Sequence, residues 1–364
     1  MNRLILNLTA LFALGAFVLC GWLSPGMGRS GAAEEKPALK LGQEDKPADE
    51  EESIKKLIDV QLHMMEKTDP DKRGQHPMHH GCVEAKITIR DGIPEQYRFG
   101  IFKEAKSYDA KIRFSNGAPK ADTERHVHGM AIKVLGVKGA RVIEKDGRED
   151  QDFVLIDSEV FFASDAKTQL PILEAVSAMA TKEDLKAFEK LAKEDPVSFK
   201  LFMASRKAPP SSPLTIQYWS TVPFKLGDGA VKYTAEPVPE NGPGDTKRDK
   251  ADFLRTAMVD RLGTSKTAVV FNLSIIPQKD PKDEPIENPT IRWKSDPIPV
   301  ATIEIAPQTF DTPERMKQCE EASFDPWHAL AEHRPLGGIN RARKAVYAAS
   351  VEARTKAREK AAAK

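Results

Sequence analysis

The chain has 364 residues, 40% of them hydrophobic, and its 55 lysines plus arginines nearly cancel 54 aspartates plus glutamates. That balance leaves no chain-wide field to attract nucleic acid. The length allows either one large domain or two ordinary ones, with a substantial core in either case.

In chain order, residues 1–33 read as an export signal, with Arg3, an apolar run from Leu4 to Leu23, and the small residues Ser30, Gly31, Ala32 and Ala33. The run is nearly long enough to cross a bilayer, so an uncleaved membrane anchor is the alternative. Leu19 before Cys20 argues against lipid attachment there. The rest of the chain is therefore expected outside the cytoplasm, periplasmic or membrane-anchored. Once the leader is removed, Cys82 and Cys319 remain, either joined in a disulfide or kept as two buried thiols. Neither has the close-spaced partner of a zinc or redox motif. Residues 34–55 mix acidic residues, lysine, proline and alanine without apolar periodicity, and read as a flexible linker. One folded domain is expected over 56–364.

Period-two alternation marks strands at Lys111 to Ser115, Gly129 to Val134, Asp152 to Ile156, Ala230 to Ala235, Val269 to Ile275 and Ala301 to Ile305. A helical stretch from Lys182 to Arg206, broken near Pro196, interrupts the series, and a last helix begins near Ile339. Many strands with few intervening helices favour an α+β fold built on an antiparallel barrel or sandwich. No internal repeat is visible.

The last helix carries the most suggestive spacing. Arg343, Tyr347 and Arg354 stand four and seven residues apart, on one stripe at 3.6 residues per turn. A guanidinium one turn from a phenol favours the ionised phenolate, and phenolate is the axial ligand of catalase haem. A haem site also needs cations for two propionates, an apolar slot and polar groups over the open iron face. Candidates occur in Arg73-Gly74-Gln75-His76, in Ile112-Arg113-Phe114-Ser115 and in Val160-Phe161-Phe162.

These pieces, in this order, resemble haem catalases. Arg73-x-x-His76 is similar to the family's Arg-x-x-His motif, and Ile112-Arg113-Phe114-Ser115 to its Val-Arg-Phe-Ser strand. The run Ala121 to Lys133 resembles the family's Ala-Asp-Thr-x-Arg-Asp-Pro-Arg-Gly-Phe-Ala-Val-Lys stretch. Asp152-Phe153-Val154 followed by Phe161-Phe162, Tyr218 to Leu226, and Ile291 to Val300 resemble later segments. Arg343-x-x-x-Tyr347 with Arg354 is similar to the proximal signature. The resemblance runs from about Arg73 to Arg354. It implies a catalase-type antiparallel barrel with a helical insertion and a C-terminal haem-ligating helix. It also implies haem b, with Tyr347 as the iron's axial ligand and Arg343 as its charge partner. Arg73, Arg113 and Arg354 would then serve the propionates, Phe161 the ring, and His76 and Ser115 the distal face.

Two departures bear on activity. Ile156-Asp157 stands where the family carries a distal asparagine, which leaves either residue at that place. Asp157 there would be a catalytic candidate that donates a hydrogen bond only when protonated. Gly337-Gly338-Ile339-Asn340 replaces the usual residues ahead of the proximal arginine. The expected function is a haem-dependent oxidoreductase, a weak catalase or peroxidase, acting on hydrogen peroxide or small organic hydroperoxides. The alternatives are a hydroperoxide isomerase or dehydratase of the catalase-like group, and a non-catalytic exported haem- or metal-binding protein. The metal alternative draws on His76, His79, His80, His126 and His128. All but His76 are expected to be exposed loop residues. No nucleic-acid partner is expected; membrane anchoring through the N-terminal segment and oligomerisation are both compatible with the sequence.

Overall fold

Alternating strands that bury one face must close on themselves or pack against a second layer, and here they close. In the computed structural model, which describes residues 38–144, 147–242, 244 and 247–363, Leu39 to Lys364 form one compact unit. Eight antiparallel strands make the ring: β1 (Met78–Ile89), β2 (Ser107–Asn116), β3 (His128–Leu135), β4 (Asp150–Ile156), β5 (Tyr218–Trp219), β7 (Gly229–Pro237), β8 (Val269–Pro277) and β9 (Ile298–Ile305). The circuit runs β5-β4-β3-β2-β1-β9-β8-β7 and back to β5, and the short β6 (Phe224–Leu226) pairs with the start of β7. Closure leaves the ring without a free edge. One face of the wall is filled by residues such as Ile112, Phe114, Met130, Ile132, Phe153, Tyr233 and Phe271, all almost wholly buried in the main core.

Each strand read from alternation lies inside an observed strand. The helical insertion is larger than expected. It comprises α2 (Ala166–Thr181), α3 (Ala187–Glu194) and α4 (Pro196–Ser205), with Pro196 opening α4 and Asp195 capping it by accepting from the Ser198 amide at 3.0 Å. The remaining helices are α5 (Phe253–Thr264), α6 (Pro313–Glu321) and the 25-residue α7 (Gly338–Ala362).

The linker expected over 34–55 is shorter than its composition implies, because α1 (Glu50–Thr68) begins inside it. Three glutamates in the first turn of α1 complement the positive end of the helix. Ser53, Leu57, Gln61, Met64 and Met65 recur at helical spacing to form its buried face. Glu44 is also tied down: it accepts from the Gly337 amide at 2.7 Å and from Arg334 at 2.8 Å. The export segment expected over 1–33 lies outside the described residues. Among the described residues no helix is long and apolar enough to cross a membrane.

Arg341 in the first turn of α7 meets three carboxylates, Glu44 at 2.5 Å, Glu50 at 2.8 Å and Glu287 at 2.7 Å. Glu287 also accepts from the Gly338 amide at 2.8 Å. The cluster joins the N-terminal segment, α1 and α7 at one point. The Glu50 side chain is 2% exposed, so it depends on this partner. Arg341→Met should destabilise the fold by about 3–5 kcal/mol, the cost of leaving buried carboxylates unpaired. Denaturant unfolding measures this, and a stability within about 1 kcal/mol of the parent would contradict the account.

Candidate functional site

The pleat places alternate side chains on the outer face of the wall, away from the main core. Register then assembles them into two rungs. Cys82, Arg113, Ala131 and Val154 face one another across β1 to β4, and His79, Ser115, Gly129 and Ile156 form the next rung. Over this face lie α7, the segment 73–76 and the segment 323–325, and between them is a pocket of about 800 Å³.

Three arginines reach the pocket from three elements: Arg73 from the segment after α1, Arg113 from β2 and Arg354 from α7. Among the described residues, Glu320 is the one carboxylate that pairs with any of them, at 3.2 Å from Arg73. Arg73 also donates to the carbonyls of Glu320, at 3.1 Å, and Ala322. Arg113 donates to the His76 carbonyl at 2.9 Å. Burial, and then the charge of Arg73, depress the Arg113 guanidinium to about 9 and that of Arg354 to about 10. Arg113 Nε and Arg354 Nε and Nη1 are buried with no acceptor. Buried donors without partners are costly, and this cluster is complementary to a ligand bearing carboxylates or another dianion.

Tyr347 lines the same pocket. Its phenol is not pre-ionised as the helix spacing led one to expect. Burial raises its pKa; Arg343 and Arg73 pull the other way, and Asp325 adds to the rise. Arg343 sits beside rather than in the pocket, with its guanidinium 5.4 Å from the centroid of Phe161. Phe161, which stacks on Phe162 at 4.1 Å, therefore covers Arg343 and does not line the pocket.

His76 lines the pocket with its Nδ1 3.1 Å from Ser115 Oγ, and burial, then Arg113, depress its pKa to about 3. Its φ of 52° is left-handed. Gly129 gives it room, since a β-carbon there would lie 2.7 Å from His76 Nδ1.

Register also decides between Ile156, which ends β4, and Asp157, which follows it. Ile156 lines the pocket beside Val154. Asp157 does not: it accepts from the His128 amide at 2.9 Å and pairs with His128 Nδ1 at 2.6 Å. The candidate catalytic aspartate is thus a partner of His128, and the wall near His76 carries an alkyl group.

His79, His80, His126 and His128, expected on exposed loops, are buried, because β1, β3 and the turn before β3 pack them inward. They are held apart by separate partners, His80 by Asn116 at 3.2 Å and His126 by the Ala121 carbonyl at 2.9 Å. They do not converge as metal ligands. The group with ligand-like spacing among the described residues is Asp150, Asp152 and His328. Lys133 already occupies it, donating to Asp150 at 2.9 Å and to Asp152 at 2.6 Å. Sequence reasoning missed Glu320, Gln61, Gln75 and Asp325 around the pocket; only the helical spacing of Gln61 with Leu57 and Met64 offered a signal.

No protein-family model and no curated protein matches the chain. Solved structures do. Catalase A from Saccharomyces cerevisiae is similar at TM-score 0.58 and 16% identity, over 88% of this chain and 68% of that one. A fungal catalase gives 0.57 and 17%, over 88% and 66%. A bacterial catalase gives 0.51 and 16%, over 88% and 64%. The chain spans roughly two thirds of the length of these catalases, and its closed antiparallel barrel with surrounding helices is a catalase-like fold.

The buried imidazoles set an acid limit on stability. His76, His79, His80 and His333 are each depressed by burial from 6.5 to about 3, so they are neutral when folded. Between those values the unfolded chain binds more protons, so stability falls as pH drops below about 6.5. Asp325, raised by burial to about 6, opposes this over a narrower window. Denaturant midpoints should decline from pH 7 to pH 5; a flat or rising profile would contradict the assignment.

Proposed function

We propose that the pocket binds haem b and that the protein is a haem-dependent oxidoreductase acting on hydrogen peroxide or a small organic hydroperoxide. The observation that carries the proposal is the convergence on one pocket of Tyr347, a three-arginine cluster with unpartnered donors, and the His76–Ser115 pair. The pocket fits the group: Arg73, Arg113 and Arg354 answer two propionates, and Val154, Ile156 and Val346 offer apolar surface to a ring. Tyr347 would hold the iron. When bound, haem supplies a metal that accepts a peroxide oxygen and the electrons for O–O cleavage.

The chain's own residues supply the rest. Neutral His76 can take a proton from an incoming hydroperoxide and return it to the departing oxygen, and Ser115 fixes its ring through Nδ1. Gly129 leaves space for that ring, which a β-carbon there would crowd. Ile156 contributes bulk and excludes water but donates no hydrogen bond, which favours slow peroxide turnover. The same apolar wall supports a second reading, a hydroperoxide isomerase or dehydratase, which product analysis with an organic hydroperoxide would reveal. As part of the proposal we place the protein outside the cytoplasm, on the character of residues 1–33. The Cys82–Cys319 disulfide is in keeping with that location.

Absorption spectra of the full chain supplemented with ferric haem test the reading. Tyr347→Phe should abolish ordinary haem loading or change its spectrum; an unaltered ferric spectrum, or a parent chain that takes up no haem, would refute it. A second variant tests the wall: Ile156→Asn adds an amide donor near His76 and should accelerate peroxide decay roughly tenfold or more. An unchanged rate in a fully loaded variant would remove the wall from the account of slow turnover.

A further inference from the structure

We propose that the Cys82–Cys319 disulfide positions the arginine cluster, and so sets the pocket's affinity for a dianionic ligand. This rests on the haem reading for the ligand's identity and on geometry for the rest.

Each end of the bridge adjoins the hold on one arginine. Cys82 lies directly across from Arg113 in the β1–β2 register, so the two side chains share a face. Cys319 lies near the end of α6, and the residues after it take Arg73: Nη1 donates to the Glu320 carbonyl at 3.1 Å and to its carboxylate at 3.2 Å, and Nη2 donates to the Ala322 carbonyl. Ser323, Phe324 and Asp325 then continue as pocket wall.

Little else secures this end of α6. It has nine residues, and Cys319 is its one buried residue. Phe310 anchors the chain ahead of the helix, packed over Gly81. Beyond that, Arg315 and Glu84 form a 2.6 Å pair whose side chains are 31% and 67% exposed. Exposed pairs of this kind contribute little. The disulfide spans a sequence separation of 237 residues and ties the end of α6 covalently to β1. With the bridge open, the hold on this stretch is reduced to Glu320 beside His79 at 3.4 Å, Phe324 under Lys133 at 5.5 Å and the Asp325 amide on Asp152 at 2.9 Å, and the backbone of residues 320–323 can shift from the wall. Arg73 then loses its acceptors, and its repulsion from Arg113, no longer opposed by Glu320, drives the two apart.

The test compares the full chain with its Cys82→Ala/Cys319→Ala variant by titration with ferric haem and with ferric haem dimethyl ester, whose propionates carry no charge. Haem affinity should fall at least tenfold in the variant while ester affinity changes less than twofold. Equal losses for both ligands, or no loss, would overturn the proposal. A readout independent of haem is the rate of phenylglyoxal labelling at Arg73 and Arg113, followed by mass spectrometry. Labelling should rise several-fold in the variant, and equally in the parent chain opened with a phosphine reductant, which substitutes should the variant not fold. Unchanged labelling would also overturn the proposal. Absence of haem uptake by the parent chain would refute the haem reading alone, and the labelling rates would then decide the role of the bridge.

Discussion

The site is organised by repulsion: three guanidinium groups are drawn out of water into one pocket, and among the described residues a single carboxylate, Glu320, pairs with any of them. Burying a cation costs several kcal/mol unless it is paired, and the depressed Arg113 and Arg354 reflect that cost. The fold meets it by fixing each arginine to a different rigid element. Arg113 is set by the β2 ladder, Arg354 by α7, and Arg73 by two carbonyls at the end of α6. Such an arrangement holds unsatisfied hydrogen-bond donors, which a dianionic ligand would satisfy on binding.

The helix α7 links this cluster to the rest of the fold. Its first turn is held by Arg341 and three glutamates on one side, while Arg343, Tyr347 and Arg354 project from another stripe toward the barrel. Because Glu50 belongs to α1, the same contact places Gln61 of α1 against the pocket. The segment whose composition reads as tether thus anchors, through Glu44 and Glu50, the start of α7 and the helix α1 that borders the site.

Legibility followed burial pattern. The strands read from alternation set apolar side chains on the core face and smaller or more polar ones on the other, so period two survives in their sequences even where both faces are buried. Strand β1 was harder to read because the bulge between His79 and Gly81 breaks its register, and two histidines stand where apolar residues would announce a strand. Helix α1 was hidden by its acidic start, although Leu57, Gln61 and Met64 keep helical spacing. Among site residues, Arg73, His76, Arg113, Ser115, Tyr347 and Arg354 do converge. Phe161 and Arg343 are one layer out, and Asp157 turned away. Strand alternation already contained that last answer: counting by two from Val154 reaches Ile156. Glu320 could not be read, since a glutamate in a charged helix carries no mark of the arginine it meets 247 residues earlier.

Tyr347 shows why helical spacing alone misjudges a ligand. One turn from Arg343, the phenol was expected to ionise readily, but the arginine is itself desolvated and Asp325 stands near both. Burial outweighs the nearby cation, so the phenol keeps its proton in the protein alone. On the haem reading, deprotonation then requires a charge larger than a guanidinium supplies, and a ferric ion is such a charge. Loss of the phenolic proton and metal ligation become a single linked event. On that reading burial would make the tyrosine selective, leaving it neutral toward ligands that bring no cation and ionised by one that does.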